Sequence, residues 1–167
     1  MKRTLILLAV GAALSGGCTL RPLYGGGSRS PVAQTLRSVA VAPIPGRAGW
    51  LVRGALQNRL GDQGSAPRYR LEVELDDRIS GFGIRLDDAV TRERRTLRAR
   101  YRLVDAQVGT VLLDASAGSD AGVDVVGSVY ATVAAEQTAL ERLSEEIADQ
   151  IVSRVALYAT RAPAAAR

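Results

Sequence analysis

The 167-residue chain is long enough for one domain, and its 47% of hydrophobic residues allow one modest core. Val, Leu, Ile and Ala must build that core, because aromatic residues make up only 4% of the chain. The sequence has no histidine and a single cysteine, Cys18, which excludes a histidine-dependent triad, a CxxC redox pair and an internal disulfide. The formal net charge of +5 is too small to indicate nucleic-acid binding by itself.

The first 17 residues have the pattern of a cleaved bacterial leader. Lys2 and Arg3 form a positive start, an apolar run follows, and residues 15–17 are small. The apolar run is about half of the roughly 20 residues that a membrane-spanning helix needs. Small residues that run into a cysteine resemble the lipobox, so we expect Cys18 to be lipidated and to become the mature N-terminus. A threonine follows Cys18 where an inner-membrane retention signal usually has Asp, which favours the outer membrane.

Next in the chain come a tether, a strand and a helix. Residues 18–37 are predicted to be the lipidated N-terminus and a flexible tether, since 25–31 reads Gly-Gly-Gly-Ser-Arg-Ser-Pro. The β-prone residues 39–42 predict a short strand that Pro43 stops. A helix is predicted over residues 48–60, where Leu recurs at helical spacing and Gly61 follows as a C-terminal cap.

The alternating pattern of residues 69–76 predicts a strand with one apolar and one charged side. The stretch Ser-Gly-Phe-Gly at 80–83 is interpreted as a turn, and a second strand is predicted over 97–103. A third strand is predicted over 111–117. The period then changes to three or four residues, which predicts a long amphipathic helix over 130–158, followed by a disordered tail at 159–167.

This order predicts an α+β domain over residues 38–158 with a four-stranded, mostly antiparallel sheet and two helices packed on one face. The apolar sides of the strands should be buried beneath the apolar stripe of the last helix. The strand residues concerned are Leu71, Val73, Leu75, Leu97, Ala99, Tyr101 and Leu103, and the helix residues are Leu140, Leu143, Ile147, Ile151 and Val155.

Residues 18–25 read Cys-Thr-Leu-Arg-Pro-Leu-Tyr-Gly. They resemble the start of the LptE-like lipopolysaccharide (LPS)-assembly lipoproteins, in which a lipidated cysteine is followed by a segment ending in Pro-Leu-Tyr-Gly. The order of predicted elements agrees with the fold of that family. The resemblance implies no catalytic residues and no cofactor. It implies an outer-membrane protein that plugs and helps to assemble the large LPS translocon β-barrel (LptD-like), and that can bind LPS.

Five arginines share one parity in the second long strand, which places them on one face of the sheet. Guanidinium groups bind phosphate bidentately, so these arginines are candidate contacts for LPS or for the partner. They could instead pair with Glu72, Glu74 and Asp76 of the neighbouring strand. Three acids cannot neutralise five arginines, so Arg92 and Arg94, near the start of the strand, are expected to keep positive charge available. The five are Arg92, Arg94, Arg98, Arg100 and Arg102.

Two other functions remain open. An auxiliary lipoprotein of a periplasmic ABC-type lipid transporter would share the leader, the size and the α+β character. A lipid-anchored hydrolase would need Ser/Asp or carboxylate chemistry without histidine, and nothing in the sequence supports it. The acidic pairs at 76–77 and 87–88 lack the spacing of a calcium loop, so no metal site is predicted.

Overall fold

The computed structural model describes residues 30–61, 66–84, 90–125 and 127–161. The predicted leader, Cys18, the acidic pair at 87–88 and residues 162–167 of the predicted tail lie outside the described residues. The elements, in chain order, are α1 (Pro31–Arg37), β1 (Val39–Val41), α2 (Gly46–Leu60), β2 (Tyr69–Ile84), β3 (Val90–Asp105), β4 (Val111–Asp124) and α3 (Val129–Arg161).

The strands form one four-stranded sheet in the order β1-β2-β3-β4. Only β1 and β2 run parallel, and β2, β3 and β4 form an antiparallel meander. The helices α2 and α3 pack on each other, and α3 covers β3 and β4. The predicted α+β fold is therefore confirmed, with a third helix in addition to the two expected.

That third helix corrects one prediction, because residues 31–37 are not tether but the helix α1. Ser30 caps it, accepting a hydrogen bond at Oγ from the Ala33 backbone N–H at 3.1 Å, and Pro31 occupies its first turn. Val32 and Leu36 are buried in the core, where α1 contacts α3. Seven residues contain a single i, i+4 apolar pair, which is too short a pattern to predict a helix beside a glycine-rich stretch.

The hairpin of β2 and β3 is longer than predicted, and residues 80–83 are strand instead of turn. Ser80 pairs with Arg94, Gly81 with Glu93 and Phe82 with Arg92. Continuous pairing with a 16-residue partner satisfies the backbone groups of this glycine-containing stretch, and it outweighs the local preference for a turn. β4 likewise continues past the predicted end at 117, since it pairs with β3 as far as Asp124. The last helix continues past its predicted end at 158 to Arg161, so residues 159–161 are helical and not part of a disordered tail.

The core lies between the sheet and the helices, as predicted. All twelve residues that were expected to be buried are buried except Leu75, which is half-buried. Ile147 is fully buried and Val73 is 6% exposed, so the apolar stripe of α3 covers the apolar side of the hairpin. The sheet therefore has one face that packs on helices and one that does not.

Candidate interaction surface

The sheet face that is turned away from the helices is called the open face here. Its middle row is formed by the five arginines of β3 that were predicted as contacts. They alternate with the buried residues Leu97, Ala99 and Tyr101, which places all five on this side of the sheet. β2 and β4 flank that row with acidic residues. The described charged residues of the open face are Arg70, Glu72, Glu74, Asp76 and Arg78 of β2, Arg92, Arg94, Arg98, Arg100 and Arg102 of β3, and Asp114, Asp120 and Asp124 of β4.

Two arginines near the middle of β3 bind carboxylates on opposite sides. Arg100 donates from Nε and Nη2 to both carboxylate oxygens of Asp114, at 3.3 and 3.0 Å. This hydrogen bond lowers the pKa of the Asp114 carboxyl and raises that of the guanidinium. Arg102 Nη2 lies 3.2 Å from Glu72 Oε2 and 3.9 Å from Glu74 Oε1. Cross-strand ion pairs thus join β3 to both of its neighbours in this part of the sheet, where water screens them.

Arg92 and Arg94, which are expected to keep positive charge available, also have acidic neighbours. Arg92 Nε lies 3.0 Å from Asp124 Oδ1, and Arg94 Nε lies 3.8 Å from Asp120 Oδ2. The prediction counted only the acids of the preceding strand, whereas these carboxylates come from β4. The signal was present in the sequence, because the acids at 114, 120 and 124 share one parity, but β4 was predicted to end at 117.

Arg98 differs from the other four arginines of the row. Within the described part of the chain, no carboxylate lies at ion-pairing distance from its exposed guanidinium. Its side chain extends across Gly118 of β4, where an added Cβ would lie 2.1 Å from Arg98 Nη1. The absence of a side chain at Gly118 therefore gives this arginine its position.

Among the described residues, the open face carries seven arginines and six carboxylates, a formal surplus of one positive charge. It is a striped surface with a basic central row between two acidic rows, and not a uniformly basic patch. In three of its ion pairs, Arg78–Asp76, Arg92–Asp124 and Arg94–Asp120, both side chains are more than half exposed, so water competes with these pairs and they exchange easily. A phosphate-bearing ligand could bind the central row only in competition with the protein's own carboxylates.

A second polar cluster lies on the helix side, at the end of the sheet where α3 begins. Arg95 binds both carboxylate oxygens of Asp77, at 2.9 and 2.6 Å, and donates from Nη1 to the backbone carbonyl of Glu136 at 3.0 Å. Asp77 and its neighbour Asp76 therefore point to opposite faces of the sheet and do not form a joint site. Beside them, burial and then the nearby Glu136 carboxylate raise the pKa of Glu93.

A helix able to cross a membrane would have to be long and apolar throughout, and none in the described residues meets both conditions.

Comparison with known proteins supplies the family context. The family model LptE, described as Lipopolysaccharide-assembly, matches residues 36–155. A candidate lipoprotein from Caulobacter crescentus has a similar structure, with 29% identity and a TM-score of 0.67 over 81% of this chain and 100% of that chain. A minor lipoprotein from Acinetobacter baumannii is 17% identical, with a TM-score of 0.60 over 72% of this chain and 92% of that one.

The rare lipoprotein B from Shewanella oneidensis is 10% identical, with a TM-score of 0.56 over 71% of this chain and 93% of that one. At these last two levels of identity the likeness concerns the fold. No curated protein matches the sequence significantly.

Proposed function

Since the chain belongs to the LptE family of lipopolysaccharide-assembly proteins, we propose that it plugs and helps to assemble the LPS translocon β-barrel of the outer membrane. The observation that carries the proposal is the extent of the family match, which runs from α1 to the last turns of α3 and so includes every strand of the sheet. The lipobox-like leader adds support, because lipidation at Cys18 would hold the domain at a membrane. The proposed role is binding and assembly, and no reaction is assigned.

The open face is the proposed contact for LPS or for an acidic part of the barrel wall. Its arginines are exposed, they stand in one row, and their carboxylate partners are weakly held in water. A phosphate group could replace such a carboxylate without unfolding any element. Arg98, which has no acidic partner among the described residues, would be the first of the row to bind an anion.

Affinity purification from detergent-solubilised outer membranes, with mass spectrometry of the bound proteins, tests the proposal. A large β-barrel protein is expected to co-purify with the tagged chain. The Cys18→Ala variant should lose the acyl mass from its N-terminus and be depleted from the membrane fraction. An ABC transporter or its periplasmic subunits in place of the barrel would instead support the alternative role in lipid transport and refute the plug.

A further inference from the structure

The outer side of α2 carries an exposed tryptophan among arginines. The tryptophan does not pack in the core, and this side of α2 is not part of the open face. Trp50 is the only tryptophan of the chain and is 75% exposed, although Val52 and Leu56 of the same helix are fully buried. Arg47 precedes it by three residues and Arg53 follows it by three. The Trp50 face is defined here as Arg47, Trp50, Arg53, Gly54 and Gln57, which helical spacing places on and beside the side opposite the core.

All charged side chains of α2 are positive. The helix contains Arg47, Arg53 and Arg59 and no acidic residue. Arg59 is neutralised by Asp149 of α3, whereas Arg47 and Arg53 have no carboxylate within ion-pairing distance among the described residues. Arg47 is exposed, whereas Arg53 is half-buried and its Nε atom is buried without a hydrogen-bond partner in the described part of the domain. The face thus presents unneutralised cations beside a large exposed indole.

We propose that the Trp50 face rests on anionic lipid headgroups of the membrane to which the protein is anchored. Tryptophan favours the boundary between headgroups and acyl chains, because its ring is apolar while its N–H needs a polar partner. Each arginine near an anionic surface strengthens binding by about fivefold. The inference rests on the lipid-anchor part of the proposed function.

Because a barrel wall separates an enclosed plug from lipid, this contact requires α2 to protrude from the periplasmic end of the barrel. The geometry of the domain permits such a contact together with one at the open face. The α2 helix packs against α3 on the helix side of the sheet, so its outer side points away from the open face. Eleven residues lie between Cys18 and Ser30, and the twelve Cα–Cα steps span at most about 40 Å when extended. That reach exceeds the radius of gyration of about 14 Å expected for a domain of this size, so a lipid on Cys18 leaves α2 free to lie on the membrane surface.

Because Trp50 is the only tryptophan, tryptophan fluorescence excited selectively over the five tyrosines reports on this face alone. The full lipidated protein is reconstituted in phosphatidylcholine vesicles and in vesicles containing phosphatidylglycerol, so that the lipid anchor is inserted in both. We expect the emission of Trp50 to shift to the blue and its quenching by acrylamide to fall only in the phosphatidylglycerol vesicles. The shift should reverse at high salt, since exposed charge attraction is screened.

The variant Arg47→Glu/Arg53→Glu should lose the shift, and Arg142→Glu/Arg154→Glu on the exposed side of α3 is the control with an equal change in charge. Co-purification of the β-barrel is measured for the same variants and should be unchanged.

Emission that is the same in both kinds of vesicle would overturn the inference. Loss of the barrel from the Arg47→Glu/Arg53→Glu variant would also overturn it, because it would assign the face to the protein partner. Failure of wild type to co-purify with a barrel would overturn the proposed function and leave the fluorescence result intact.

Discussion

At the scale of single residues, Glu93 is the clearest case of a group in an unfavourable ionised state. It lies on the helix side of β3, its Oε2 atom is buried without a hydrogen-bond partner in the described residues, and the Glu136 carboxylate is close by. Burial and this like charge both raise its pKa, so ionisation of Glu93 is less favourable in the folded protein than in the unfolded chain. Arg95 does not neutralise the charge of Glu93, because its guanidinium is hydrogen-bonded to the Asp77 carboxylate and to the backbone carbonyl of Glu136.

This predicts a pH dependence of stability with a defined sign. A raised carboxyl pKa gives stability that is complete below the unfolded pKa and is lost as pH rises through the folded pKa. Glu93→Gln should therefore stabilise the protein at pH 7, by at most about 1 kcal/mol for a partly exposed group, and have little effect in acid. Urea unfolding at several pH values measures this, with the exposed Glu141→Gln as control. An equal effect of Glu93→Gln at all pH values would contradict the assignment.

Gly49 is required for the close approach of α2 to the segment before it. A Cβ at this position would lie 2.5 Å from the Ile44 carbonyl oxygen and 2.9 Å from Ile44 Cγ2, and the backbone oxygen cannot move aside without moving the chain. We expect Gly49→Ala to lower the free energy of unfolding by about 1–3 kcal/mol. Gly54→Ala in the same helix is the matched control, since nothing lies within 4 Å of its added Cβ. That variant should gain up to about 1 kcal/mol from helix propensity, and if both variants lost stability alike, the contact with Ile44 would not be the cause.

At the scale of elements, α1 joins the N-terminal segment to the core through two side chains. Leu36 is 5% exposed and Val32 8% exposed, so truncation leaves cavities in the contact with α3. Leu36→Ala should cost about 2–3 kcal/mol in thermal or urea unfolding. Thr35→Ala on the same helix, which loses only an exposed hydrogen bond to the Pro31 carbonyl, should cost less than about 0.5 kcal/mol. If Leu36→Ala left the free energy of unfolding unchanged, α1 would contribute nothing to the stability of the folded domain.

The elements also show how far sequence patterns reach in this chain. Alternation in 69–76 and helical spacing in the last helix predicted the sheet, its burial and its helical cover, because both periods are long and regular. The ends of β2 and β4 were not predictable in this way, since Gly81, Gly118 and Gly122 are held in strands by pairing with β3 and not by their own preferences. The acids of β4 were missed for the same reason, and with them the partners of Arg92 and Arg94.

At the scale of the whole molecule, the two sides of the domain differ in how their charge is balanced. On the open face, arginines and carboxylates alternate in rows that neutralise one another almost completely. On α2, the arginines at 47 and 53 have no acidic partner in the described residues. A contact at the open face therefore exchanges one set of ion pairs for another, whereas a contact at α2 adds pairs that the domain does not make itself.

The exchange at the open face leads to a prediction for Arg92 and Arg94. Reversing both with Arg92→Glu/Arg94→Glu should weaken LPS binding, by roughly 1.5–3 kcal/mol for each contact that is desolvated and by far less for a contact that stays in water. The fold should survive, because both side chains are more than half exposed and their ion pairs are each worth less than about 1 kcal/mol. LPS binding, β-barrel co-purification and the melting temperature are measured together.

The partners of these two arginines supply the opposite test. Asp120→Asn/Asp124→Asn removes the carboxylates that compete with phosphate, so this variant should bind LPS more tightly than wild type while Arg92→Glu/Arg94→Glu binds it more weakly. A general effect of net charge is controlled by Arg142→Glu/Arg154→Glu, whose changes lie on α3 and should leave LPS binding unaltered. If all three variants bind LPS like wild type and melt at the same temperature, the arginine row serves only to pair the strands in water. Opposite shifts in the first two, with the third unchanged, would establish competition between phosphate and carboxylate at the open face.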